Sequence, residues 1–364
     1  MKKLIVLFIV FILNGLCVFA HDSGAEFLPR QIGVVESVEY EDIDANTDYP
    51  QVRQRAIVKL LNTESKGGEI GVVNMITGNP QYDINLKKGM KIIIHSEDSD
   101  GGIVNSVEDV QRSGVLVFLS LIFCALLIYV GKKKGLYSLV SIILTCVLIF
   151  YALTPMILHG IHPVLATVIV CLVSTALTMY LVGGFNKKST SATIGCTLSI
   201  IFAGLLSYLT VKLAYLTGFA GENVMFLYTA HPELNFIGIL ISAMILATLG
   251  AVMDVAMSIA STINEIYSVD NTKTVKELFK SGMNVGRDII GTMANTLILV
   301  YIGGSLPLLL LANNIDLYKF INLNQVVTEI ASALIGSCAI VICVPLTAIV
   351  ASNLVRLTHE EPFE

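Results

Sequence analysis

Apolar positions fall into two regimes along the chain, short alternating runs before Arg112 and long unbroken ones after it. The alternating part runs from His21 to Arg112, with apolar segments at Gly33 to Val38, Ala56 to Leu61, Ile70 to Met75 and Met90 to His95. A period of two over four to eight residues predicts half-buried strands. Gly67-Gly68, Gly78-Asn79-Pro80, Lys88-Gly89 and Gly101-Gly102 separate them as turns. Four or five short strands in this stretch predict a small barrel or sandwich, a β-rich domain over 21–112.

Beyond Arg112 the runs lengthen to roughly 17–26 residues, long enough to cross a hydrocarbon core of about 30 Å. They predict about seven transmembrane helices, at 114–130, 136–157, 163–184, 192–217, 236–258, 288–311 and 328–351. The expected fold class is a membrane all-α helical bundle over 113–355 carrying a small N-terminal extracytoplasmic β-rich domain, with a cytoplasmic tail at 356–364. Before all of this, Lys2 and Lys3 precede an apolar run from Leu4 to Val18. Val18-Phe19-Ala20 then offers small residues at the cutting positions, so 1–20 reads as a signal peptide. An uncleaved anchor would leave the same topology. Lipidation at Cys17 is disfavoured by the bulky Leu16 before it.

Charge supplies the orientation. If the β-rich domain is exported, the segments left inside hold Lys132, Lys133, Lys134, Lys187, Lys188, Lys273, Lys276, Lys280, Arg287 and Arg356. The outer loops hold only Lys319, with Lys212 at a span end. Basic residues concentrate on the cytoplasmic side of membrane proteins, so the N-terminal domain is expected outside and the C-terminus inside. Composition agrees with membrane residence, since 54% of residues are hydrophobic and 14% charged. No basic surface interleaved with aromatics points to nucleic acid. The first partner is the lipid bilayer. Six of the seven cysteines lie in spans, at Cys124, Cys146, Cys171, Cys196, Cys338 and Cys343, and read as packing residues.

Candidate chemistry is confined to a few positions. Asp254, Ser258, Ser261 and Glu265 recur at intervals of four, three and four, one face of a helix. Asn284, Asp288, Thr292 and Asn295 form a second stripe entering the sixth span, with Arg287 beside Asp288. Ionisable groups inside a bilayer are expensive and usually line a polar path or pair with one another. Hard oxygen ligands suit a proton or small cation, so Asp254, Ser258, Asp288 and Asn295 form the candidate site, supported by Glu265 and Arg287. Plain interhelical hydrogen bonding with a solvated cytoplasmic helix end, or ion pairing of Asp254 and Asp288 with Arg287, explains the same residues. Glu329 starts the last span near the outer surface. His159, His162 and His231 sit in separate loops and make a weak metal set, so no metal or cofactor is expected. Gly303-Gly304-Ser305-Leu306-Pro307 interrupts the sixth span. His-Glu-x-x-His, Gly-x-Ser-x-Gly and phosphate-loop signatures are missing, and nothing asks for an enzyme.

The stretches Gly250-Ala-Val-Met-Asp-Val-Ala-Met-Ser-Ile259, Phe279-Lys-Ser-Gly-Met-Asn-Val-Gly-Arg-Asp288, Gly291-Thr-Met-Ala-Asn-Thr-Leu297 and Tyr301-Ile-Gly-Gly-Ser-Leu-Pro307 resemble the YibE/F family of bacterial multi-pass membrane proteins. The resemblance covers roughly 115 to 355 and implies this topology in a bacterial cell membrane. It brings no substrate, activity or cofactor. Two functions fit the residues. One is a transporter or permease coupling an ion to an unknown small solute. The other is a membrane-anchored assembly or signalling component whose β-rich domain binds an extracytoplasmic protein partner.

Overall fold

A computed structural model describes residues 31–42, 52–62, 67–99 and 102–356. The signal peptide and the C-terminal tail lie outside the described residues. The chain divides into two compact units, Met1–Leu126 and Leu127–Glu364.

In the first unit, β1 (Gln31–Asp42), β2 (Val52–Leu60), β3 (Glu69–Ile76), β4 (Lys91–Ser99) and β5 (Gly102–Val110) close into a barrel of order β1-β2-β3-β5-β4. All pairings are antiparallel except β3 with β5. This is the strand order of OB-type Greek-key barrels. Gly33 explains how β1 closes the barrel, because it pairs with Leu60 of β2 and with Ile92 of β4. A side chain there would overlap Val58 inside the barrel. The interior is built by alternation, with Ala56, Val58 and Leu60 buried against Val35, Val72, Leu86, Ile92 and Ile94. One polar side chain shares that interior. Gln54 is fully buried and donates to Asn85 (2.9 Å) while accepting from Asn74 (2.8 Å) and the Leu86 N–H (3.1 Å). Burial of an amide is tolerated because its hydrogen bonds are made.

The spans begin with α1 (Ser113–Leu148), which continues through a π-helical turn (Ile149–Leu153) into α2 (Thr154–Leu158). This helical run of 46 residues would measure about 69 Å if straight, more than two crossings of the hydrocarbon. It is not straight, because Lys132 has φ 49° and ψ −125°. Gly135 lies against the Leu127 carbonyl so closely that a Cβ would overlap it. Residues eight apart in a helix stand about 12 Å apart, so the chain reverses here. The run therefore holds the first two expected spans.

Five further helices are long and apolar enough to cross a membrane: α3 (Pro163–Gly183), α4 (Lys187–Leu213), α6 (Phe236–Val269), α7 (Val275–Gly304) and α10 (Asn324–Arg356). Short helices α5 (Glu222–Ala230), α8 (Leu306–Leu311) and α9 (Leu317–Ile321) lie between them. The bundle is centred on α4, α6 and α10, with α3 against α4 and α6, and α7 against α10 and α6. Small residues set the spacing. A Cβ on Gly195 of α4 would overlap Thr347 of α10, and one on Gly336 of α10 would overlap Leu297 of α7. Cys171, Cys196 and Cys343 are buried in this core as packing residues, whereas Cys338 is exposed. The sixth expected span differs most. Its helix starts at Val275, thirteen residues before Asp288, because Thr274 and Glu277 form a capping box that begins α7 in its polar segment. It ends at Gly304, where the Gly-Gly-Ser-Leu-Pro segment breaks the chain into α8.

Candidate functional site

Two polar stripes lie on α6 and α7, and the packing between these helices fixes their relative height. Gly282 of α7 sits against Ile263 of α6, and Gly286 sits against Ile259. These two contacts set an antiparallel register. Arg287 and Asp288 stand level with Ser258, Asp254 stands one turn further along the bundle, level with Gly291, and Asn295 stands level with Gly250.

The membrane edge can be placed beside them. Helix α3 has 21 residues, about 31 Å, one crossing of the hydrocarbon. Its last residue, Gly183, lies against the Met257 side chain. Ser258 and Asp288 are therefore near the edge, Asp254 about 5 Å inside it and Asn295 about 10 Å inside it. Glu265 and Asn284 project beyond it.

All four residues of the candidate site are exposed: Asp254, Ser258, Asp288 and Asn295, as are Glu265 and Arg287. The stripes do not meet across the seam between α6 and α7, which Ile259, Ile263, Gly282 and Gly286 fill. They run side by side on the outer face of the helical unit. The physical reason is in the sequence of α7. Gly282 and Gly286 give the closest approach to α6 and α10, and the polar positions lie on the other side of the helix. Among the described residues, no hydrogen bond or ion pair reaches the side chains of Asp254, Asp288 or Asn295. Arg287 turns to the Asn284 amide oxygen (3.5 Å) instead of to Asp288.

The same 4-3 spacing extends the stripe further into the membrane. Ala243, Ala247 and Gly250 precede Asp254 on the exposed face of α6, and no large apolar side chain interrupts them. Sequence reasoning stopped at Asp254 because alanine and glycine carry no chemistry of their own. At the start of the α6–α7 connection, Asp270 is held below the usual carboxylate range by the Thr272 hydroxyl (2.6 Å) and N–H (3.1 Å), with Lys273 adding its charge.

Two further concavities were not legible in the sequence. The break between α7 and α8 opens a cavity of about 220 Å³ whose lining includes Tyr301, Ser305, Phe320 and Glu329 among aliphatic side chains. On the barrel, a groove of about 520 Å³ runs over β1, β2 and β3, with Arg53, Arg55 and Glu39 beside Ile57, Val73 and Met75. Arg55 pairs with Glu41 at 3.1 Å. Among the described residues no cluster of three metal-ligating side chains occurs, and His231 approaches Glu233 at 3.2 Å.

A closed five-stranded barrel followed by apolar helices of membrane-crossing length defines a multi-pass membrane protein with a separate N-terminal domain. Residues 119–357 match the family described as YibE/F-like protein, and residues 26–110 match the YibE/F family N-terminal domain. The chain belongs to the YibE/F family. No curated protein and no solved structure matches it.

Proposed function

We propose that this protein is a transporter or permease of the bacterial cell membrane, with its barrel outside and its C-terminus inside, that binds a proton or small cation at Asp254 and Asp288. Ser258 and Asn295 supply neutral oxygen donors, and Glu265 and Arg287 stand at the mouth of the path. The observation that carries this reading is the continuous polar band from the membrane edge to about 10 Å inside it, on helices otherwise apolar. Carboxylates kept at such positions without an intramolecular partner match groups that exchange their counter-charge with a moving ion. The cavity beside Glu329 at the far end of α7 offers room for a small solute. The basic residues of the inner loops support the orientation.

The test is calorimetric titration and thermal unfolding of the purified full chain with protons, sodium, potassium and magnesium. Wild type should be stabilised by one of these, and Asp254→Asn and Asp288→Asn should fold and lose the response. Identical responses in all three proteins would sink the ion site.

A second reading is favoured by the barrel groove. In barrels of this strand order the β2–β3 face is the usual binding face, and the groove lies on it. An extracytoplasmic protein partner seated there would make the spans an anchor. Under that reading Ile57→Asp abolishes function in cells, while Asp254→Asn leaves it intact.

A further inference from the structure

We propose that the polar band of α6 and α7 is the contact face between two copies of this chain. The inference stands on packing and charge, and it rests on the transport reading only for what the joined bands conduct.

Exposed positions on α3 show what a lipid-facing surface of this bundle is made of: Leu165, Ile169, Val173 and Leu177, four residues apart. Exposed positions on α6 at the equivalent spacing are Ala243, Ala247, Gly250, Asp254 and Ser258. Lipid chains gain nothing from small residues and exclude carboxylates, whereas a neighbouring helix gains close approach from the first and hydrogen bonds from the second. The glycines of the band are open as well. A Cβ built on Gly250 or Gly291 meets nothing within 4 Å, so another backbone has room to come near. Helix α7 is the least apolar of the candidate spans, yet only 6% of its most apolar stretch is buried.

The band is self-complementary, which selects a second copy as the occupant. Copies inserted in one orientation are related by a two-fold axis along the membrane normal, and such an axis keeps every residue at its own depth. Arg287 of one copy therefore meets the level of Asp288 and Ser258 of the other, and the reverse contact follows by symmetry. Asp254 meets the level of Gly291, where no side chain obstructs it. The first span of the same chain has the wrong chemistry for this surface. Its side chains between Ser113 and Val130 are aliphatic or aromatic apart from hydroxyls and Cys124, and the Ser120 hydroxyl is spent on the Leu116 carbonyl (2.8 Å). Between Ser113 and Val130 it brings no charge to answer Asp254, and Lys132, Lys133 and Lys134 follow only at the reversal after it.

Cross-linking of the full chain in membranes, in a background with its seven cysteines replaced, tests the proposal. Ser258→Cys and Gly291→Cys should each give a covalent dimer with a short thiol cross-linker, and Val173→Cys on the lipid-facing side should not. Charge exchange then fixes the register. Arg287→Asp alone and Asp288→Arg alone should each reduce cross-linking at least tenfold, and mixing the two variants should restore it as a mixed dimer. Because rescue requires both variants to be folded, misfolding cannot imitate it. Monomeric chains with no cross-link at Ser258→Cys, or an internal cross-link from Ser258→Cys to Val130→Cys at the same end of the first span, would overturn the proposal. Single charge variants that dimerise as well as wild type would also overturn it. Dimers that show no cation response would overturn the transport reading alone, and a monomer that keeps the response would overturn this one alone.

Discussion

Gly286 of α7 lies against Val344 of α10 so closely that a Cβ on the glycine would overlap the valine side chain, with Ile259 of α6 next to it. Three helices thus meet at one residue without a side chain. This contact turns the apolar face of α7 inward and leaves Asp288, two residues on, facing outward.

Gly286→Val should therefore destabilise the full chain by about 1–3 kcal/mol, the usual cost of overpacking a filled core. Gly291→Ala, five residues along on the open face, should keep or slightly raise the unfolding temperature of the isolated chain, because alanine is the better helix former and its Cβ meets nothing. Thermal unfolding in detergent compares the two. Equal effects would mean that α7 does not pack through the Gly282–Gly286 face.

A second consequence concerns the barrel. The Leu86 N–H and the amides of Asn74 and Asn85 are organised around Gln54. Gln54→Leu fills nearly the same volume but leaves the Leu86 N–H without its acceptor, which costs about 1–3 kcal/mol. Amide hydrogen exchange of the full chain should show faster exchange at Leu86 and along β2 and β3, with the helical unit unaffected. Unchanged protection at Leu86 would show that the Gln54 network does not hold the segment.

Much of this architecture was legible because burial leaves a period. In β2 the buried set Gln54, Ala56, Val58 and Leu60 alternates with Arg53, Arg55, Ile57 and Lys59, so the strand announces itself despite the buried amide. Barrel closure was not legible. It depends on Gly33 pairing on both sides and on β5, where adjacent Ile103 and Val104 are both exposed and no clean alternation survives. The two polar stripes were readable as faces, since Asp254 and Ser258 share one by spacing alone. Which way a face points is a tertiary matter. On α7 the glycines, silent in a search for chemistry, took the inward position and sent Asp288 and Asn295 outward. The early start of α7 was hidden for a related reason, because a helix projecting beyond the hydrocarbon is polar and resembles a loop.

The third prediction tests the height assigned to the band. Asp254 should lie inside the hydrocarbon and Glu265 beyond it, so cysteine replacements should differ toward a membrane-impermeant thiol reagent added on the α6–α7 side. Glu265→Cys should label at least ten times faster than Asp254→Cys in intact membranes, and detergent should bring the two rates together. Equal rates before detergent would place the edge above Asp254 and remove the argument that its carboxylate is costly.

The last prediction follows from Asp83, whose carboxylate accepts from the Thr77 N–H at 2.8 Å and the Thr77 hydroxyl at 3.0 Å in the turn after β3. These donors, with the backbone N–H contact foremost, hold its pKa below the ordinary value. A depressed folded pKa means that the ionised form is bound more tightly in the folded chain. The contribution to stability is thus complete above the unfolded value of about 4 and is lost as pH falls through the folded value. Protection of the Thr77 amide, corrected for intrinsic exchange, should be constant above about pH 4 and decline in acid as the carboxylate is protonated in wild type. In Asp83→Asn, protection should be lower at neutral pH and should not show this acid-dependent loss. A wild-type amide whose protection is the same with the carboxylate ionised and protonated, or equals that of Asp83→Asn at neutral pH, would mean that the carboxylate does not close this turn.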